Sequence, residues 1–175
     1  MSEQSGEETA LGGLRVLDLA NENGLYCGKL LADLGADVIK IERPGGDATR
    51  NMGPFWHDIV HPEKSLLFAY LNTNKRSITL DIESIKGRDI LKKLAKEADI
   101  IIETYAPGYL DSIGLGYSTL KQLNPGLIMT SITGFGQTGP HRDFKSSDFI
   151  AFATAGNMFV TGDPDKPPVQ AGGHM

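Results

Sequence analysis

A single cysteine, Cys27, is all the thiol chemistry that the 175 residues contain. No internal disulfide framework can form and no cysteine cluster can hold zinc, so a reducing, cytoplasmic compartment is expected. No apolar run reaches the roughly 18 residues of a membrane span, and no membrane partner is expected. The opening MSEQSGEETA is acidic and lacks the basic and apolar segments of a secretory signal; residues 1–10 are expected to form a flexible leader. Net charge is −5, the wrong sign for non-specific nucleic-acid binding, so no nucleic-acid partner is expected.

Several catalytic signatures are also missing. The histidines His57, His61, His141 and His174 have no H-E-x-x-H spacing, and Pro62 argues against a shared helical face for the first two; no metal is expected. No G-x-S-x-G elbow supports a serine hydrolase. The first strand candidate leads into NENG rather than G-x-G-x-x-G, and G-x-x-x-x-G-K-[ST] is absent. A nicotinamide oxidoreductase and a P-loop nucleotide hydrolase both lose ground.

What remains is an alternation of short apolar runs and helical patterns. LRVLDLA (14–20), ADVIKIE (36–42), KRSITLDI (75–82), DIIIETY (99–105) and LIMTSITGFG (127–136) read as strands. Between them lie helical patterns in GLYCGKLLADLG, with Gly35 as C-cap, in IKGRDILKKLAKEA, with Ser84 as N-cap, and in GYSTLKQLNPG. SSDFIAFATAG (146–156) adds a last helix, with Ser146 and Ser147 before Asp148, and capping explains that aspartate at least as well as catalysis. RPGGDATRNMGPFWHDIVHPEK has no period and reads as a long loop. This order predicts an α/β fold, a mostly parallel sheet with helices on both faces, whose ligands sit at the carboxyl ends of the strands.

The loops at those ends carry the candidate residues. Lys40, Arg43 and Arg50 surround a glycine turn; guanidinium groups there suit a phosphate, or else pair with acids on a solvated loop. Lys75 and Arg76 form a second basic pair, a ligand contact or simply a charged strand edge. Thr104 and Tyr105 follow the isoleucine strand, where an aromatic can stack on a purine or just pack. GFGQTGPHRDFK is glycine-rich, with Arg142 and Lys145 as further cations.

LGGLRVLDLA, LLADLGADVIKIERPGGDATR, LNTNKRSITLDI, GYLDSIGLGYSTLKQLNPGLIMTSITGFGQTGP and TGDPDKPPVQAGG, in that order, resemble the class III coenzyme A transferases. That family includes formyl-CoA transferase, the carnitine CoA-transferases and 2-methylacyl-CoA racemase. The resemblance implies a Rossmann-like large domain, of which residues 11–175 form the incomplete amino-terminal part, and two interlocked subunits, as a homodimer or a heteromer. It implies transfer of coenzyme A between an acyl-CoA and an organic acid, through an aspartyl-CoA intermediate. The nucleophilic aspartate is expected at about position 177, just past Met175, so none lies within the chain and the fragment alone is expected to be inactive. Arg43, Leu80, Thr104, Tyr105 and Lys145 match positions that line the coenzyme A site, with Asn23, Lys75 and Arg76 as further candidates. Two departures stand out: Thr104 replaces a common asparagine, and NENGL replaces an A-G-P pattern. Ser147 stands where the racemase branch has histidine, which disfavours racemisation relative to acyl transfer. A non-catalytic coenzyme A-binding subunit or pseudoenzyme of a heteromeric CoA-transferase is one alternative, and an acyl-CoA racemase or isomerase of the same family is the other.

Overall fold

The structure is a computed structural model and describes residues 9–169; the end of the expected leader at Thr9 and Ala10 is therefore included, and the expected nucleophile and His174 lie outside the described residues. The chain divides into a unit ending at Ile132 and another starting at Thr133. In the first, β1 (Arg15–Leu19), β2 (Asp37–Glu42), β3 (Arg76–Thr79), β4 (Ile100–Glu103) and β5 (Ile128–Ser131) form one sheet. Its order is β3-β2-β1-β4-β5 and every pairing is parallel. This is the α/β fold that the alternation of elements predicts.

Each strand of the sheet centre serves two cores. In β1, Leu17 and Leu19 enter one cluster with Ile39, Ile41 and residues of α3 (Ile85–Lys96) and α5 (Tyr117–Leu123), among them Leu91, Ala95 and Leu120. Val16 and the following Ala20 enter the other, with Val38, Ile102 and Ala32 of α1 (Leu25–Asp33). Burial on both faces is why these strands read as continuous apolar runs. One β1 side chain breaks the run: Asp18 is fully buried on the α1 side.

Local signals fix the helix ends. Gly35 has φ 101°, its N–H donates to Ala32 and the next N–H, of Ala36, donates to Leu31, each at 3.0 Å. A Cβ at Gly35 would be strained there, which is why glycine stops α1. Ser84 Oγ accepts from the Gly87 N–H at 3.0 Å and starts α3.

Five parts of the chain differ from expectation. Residues 43–64 are not structureless but contain 3-10 turns at Ala48–Asn51, Trp56–Asp58 and Pro62–Lys64. α2 (Leu66–Leu71) follows in LLFAYL, a segment too uniformly apolar to show a helical period, started by Ser65 Oγ accepting from the Phe68 N–H. α4 (Tyr109–Ser112) is a single turn after the glycine of the PG turn. β3 and β5 are also shorter than the sequence predicts: both are edge strands with no outer neighbour to extend the ladder.

The second unit contains α6 (Asp148–Thr154), whose N-terminus is capped by Ser147 Oγ accepting from Ile150 at 3.3 Å. Before it, the Phe135, His141 and Phe144 rings cluster with centroids 4.8–6.0 Å apart.

Candidate functional site

In this strand order the chain runs outward from β1 toward β3, then crosses back to β4, so the connections leaving the paired strands β1 and β4 at their carboxyl ends turn to opposite faces of the sheet. A crevice forms there by topology alone. It holds a cleft of about 280 Å³ lined by Leu19–Glu22 after β1, Lys40–Arg43 at the end of β2, Asp47 and Ala48, and Thr104 and Tyr105 after β4.

Buried charge underlies the cleft. Lys40 donates to the Ala20 carbonyl and pairs with Asp47 Oδ2 at 3.1 Å, with side chains 2% and 7% exposed. The other carboxylate oxygen of Asp47 accepts from Thr49 N–H at 2.9 Å and from its hydroxyl at 2.6 Å. Glu42 receives the fork of Arg50, Nε at 2.6 Å and Nη2 at 2.8 Å, along with the Ser77 hydroxyl and the Asp47 N–H. Burial alone would push the Glu42 carboxyl up, but these donors outweigh it and hold it at about 2. Asp47 is likewise lowered against the effect of burial, by Thr49 and Lys40.

Beside this group, Lys75 Nζ pairs with Asp18 Oδ2 at 2.7 Å and donates to the Leu25 carbonyl at 2.8 Å, the two side chains being 1% and 0% exposed. Burial lowers the Lys75 amine despite the pull of Asp18. Asp18 Oδ1 accepts the Ala20 N–H at 2.9 Å. Gly28 of α1 makes room: a Cβ there would lie 2.4 Å from Asp18 Oδ2. Lys40, Arg50 and Lys75 thus pair with Asp47, Glu42 and Asp18 beneath the cleft, and Arg50 Nη1 also reaches the exposed Glu63 at 2.9 Å.

Arg43 is the exception. Its side chain is exposed on the cleft wall, and among the described residues it has no carboxylate within ion-pair distance. On the opposite wall Thr104 Oγ1 accepts the Asn21 N–H at 2.9 Å, tying the β1 and β4 loops together. The Tyr105 ring stacks on Tyr109 at 5.0 Å, and its N–H donates to the buried Glu103 at 2.7 Å. Burial, then Tyr109 and Glu103, push the Tyr105 phenol to about 12, with Arg43 pulling the other way; at neutral pH it is an uncharged aromatic donor. Glu103 is itself raised by burial.

The structure thus brings Arg43, Thr104 and Tyr105 to one cleft. Leu80 is in the core of the same unit, its N–H donating to the Glu42 carbonyl at 2.8 Å. Asn23 is exposed on the β1 loop, its N–H on Asn21 Oδ1 at 3.1 Å. Two candidates are engaged elsewhere. Lys75 is consumed by Asp18, and Arg76 grips Asp37 at 2.6–2.9 Å at the amino end of β2, with Arg15 on the same carboxylate. Lys145 belongs to the second unit and is exposed. Sequence reasoning passed over Asp18, Glu42 and Asp47; the available signal was, for the first two, a charge inside a strand otherwise apolar on both faces and, for Asp47, a capping aspartate just after the glycine turn. Among the described residues, no three His, Cys, Asp or Glu side chains group as a metal site would require. No described helix is long and apolar enough to cross a membrane.

A family model described as CoA-transferase family III matches residues 11–175. Succinate–glutarate CoA-transferase of Agrobacterium fabrum is 43% identical over 176 residues, covering 98% of this chain and 44% of that protein. Succinyl-CoA:(R)-benzylsuccinate CoA-transferase subunit BbsE of Thauera aromatica is 41% identical over 154 residues, covering 87% of this chain and 38% of that one. The crystal structure of a CaiB/BaiF family protein from Brucella suis superposes with a TM-score of 0.88 at 44% identity, over 96% of this chain and 45% of that one. The chain spans less than half the length of these relatives. A family match across the whole sheet and its connecting loops, at this identity, leaves one conclusion: the chain belongs to CoA-transferase family III.

Proposed function

We propose that this chain supplies the coenzyme A-binding part of an enzyme that moves coenzyme A from an acyl-CoA to a carboxylic acid. The observation that carries the reading is Arg43, which lines a crevice at the sheet's topological switch point and, unlike Lys40, has no carboxylate within ion-pair distance among the described residues. A phosphate of coenzyme A is the anion it would hold, through two parallel N–H···O bonds. Tyr105 and Thr104 face the same space and suit the adenine or pantetheine arm, and Lys145 is a further proposed phosphate partner.

The chemistry follows from thioester exchange. A carboxylate, the aspartate expected at about position 177, attacks the acyl-CoA carbonyl and expels the coenzyme A thiolate, giving a mixed anhydride. The thiolate attacks the aspartyl carbonyl, forming aspartyl-CoA and freeing the donor acid. The acceptor carboxylate then attacks that thioester, expelling the thiolate and giving a second anhydride, and the thiolate attacks the acceptor-derived carbonyl of this anhydride, releasing the new acyl-CoA and the aspartate carboxylate. The proposed setting is a reducing cytoplasm, with two interlocked copies of the full protein.

The test is calorimetric titration of the full-length protein with coenzyme A, followed by mass-spectrometric assay of acyl-CoA donors against a panel of acids. Saturable binding, weakened about 10- to 100-fold in Arg43→Ala, is expected. No binding by the parent protein would sink the reading. A second reading, a coenzyme A-binding subunit that works only with a partner, draws on the Thauera relative, whose name makes it a subunit. Turnover by the full-length chain alone would rule that out.

A further inference from the structure

Two anchors hold the loop that carries Arg43, and neither is Arg43 itself. The RPGG turn closes with the Gly46 N–H on the Arg43 carbonyl at 2.9 Å, and Gly45 and Gly46, at φ 93° and 86°, contribute no side chain to hold it. Its far end is fixed at Asp47, whose N–H is on Glu42 and whose carboxylate is on Lys40. Lys40 also reaches across to the Ala20 carbonyl. Ala20 begins the opposite wall of the cleft, the wall that Asn21 and Glu22 continue. One buried ammonium group therefore touches both walls.

We propose that Lys40 and Asp47 are positioning residues for coenzyme A binding: their pair sets the width of the cleft and the placement of Arg43, without either group contacting the phosphate. This rests on the proposed coenzyme A reading. A phosphate clamp gains affinity when its wall is already fixed, because less rotamer and loop freedom is lost on binding. A glycine turn without such anchors would give up that advantage.

The distinguishing change is Asp47→Asn. The shape stays and the Thr49 N–H keeps an acceptor, but the oxygen facing Lys40 becomes an amide that cannot neutralise it. In the full-length protein, the dissociation constant for coenzyme A and the KM for acyl-CoA should both rise about tenfold. The kcat should stay within about threefold and the KM for the acid acceptor should not move. If Asp47→Asn fails to fold, the double variant Lys40→Met with Asp47→Asn leaves no unpaired buried charge and still unlinks the walls, so the same tenfold rise is expected. A residue that merely stabilises the fold would lower the melting temperature and the active fraction and leave the dissociation constant alone. That outcome, in either folded variant, overturns this inference while leaving the coenzyme A reading intact. Absence of coenzyme A binding by the parent protein overturns both.

Discussion

Glu42 offers the most direct quantitative test of the buried charge cluster. Its carboxyl is held at about 2 rather than 4.5, burial opposing and the Arg50 fork, the Ser77 hydroxyl and the Asp47 N–H prevailing. A depressed carboxyl stabilises the fold above its unfolded value and loses that contribution as the pH falls toward its folded value. At about 1.4 kcal/mol per pH unit, the interval from 4.5 to about 2 is worth about 3 kcal/mol at neutral pH. By the same linkage about 2 kcal/mol of this is gone at pH 3. Glu42→Gln removes the titrating group while keeping its shape. Chemical denaturation of the full-length protein and of Glu42→Gln, at pH 7 and at pH 3, should therefore give a stability difference that shrinks by about 2 kcal/mol on acidification. A difference that does not change with pH would refute the argument that Arg50, Ser77 and Asp47 act on a charged Glu42.

Lys75→Met leaves Asp18 buried without its cation, and a loss of about 3–5 kcal/mol is expected by chemical denaturation. Gly28→Ala drives a Cβ to 2.4 Å from Asp18 Oδ2, so about 1–3 kcal/mol should be lost from overpacking, again read by denaturation. Glu22, exposed on the cleft rim, repels a polyphosphate; Glu22→Gln should tighten coenzyme A binding about two- to threefold at low ionic strength, with the gain fading above about 0.15 M salt. Calorimetry at two salt concentrations checks this.

The central strands were legible because they bury both faces, so β1, broken only at Asp18, and Ile100–Ile102 appear as apolar runs wherever they are met. Caps were legible for a similar reason: Gly35 and Ser84 act through their own backbone neighbourhood. α2 was not, because LLFAYL gives no polar face to set a period. Tyr105 could be placed at a strand end and therefore at the crevice. The fates of Lys75, in the turn before β3, and Arg76, its first residue, could not be told apart in the sequence. One meets Asp18, 57 residues away, and the other Asp37, 39 residues away. Ion pairs between separate strands and loops are tertiary facts, and nothing in the local sequence announces which carboxylate a lysine will meet.

The same reasoning explains why charge lies beneath this cleft at all. Well-packed apolar side chains in place of Asp18 and Lys75, or of Lys40 and Asp47, would cost no desolvation and are often as stable or more so. They could not hold polar backbone in place, and here the buried charges do so: Asp18 takes the Ala20 N–H, Lys40 the Ala20 carbonyl and Glu42 the Asp47 N–H. The loops after β1 and β2 have few ladder partners of their own, so without these bonds their peptide groups would meet the crevice unpaired. Asp18 with Lys75, Lys40 with Asp47 and Glu42 with Arg50 are each paired, so the bonds that hold those loops leave none of these six groups without a partner. On the wall above them Arg43 is exposed, with no carboxylate within ion-pair distance among the described residues.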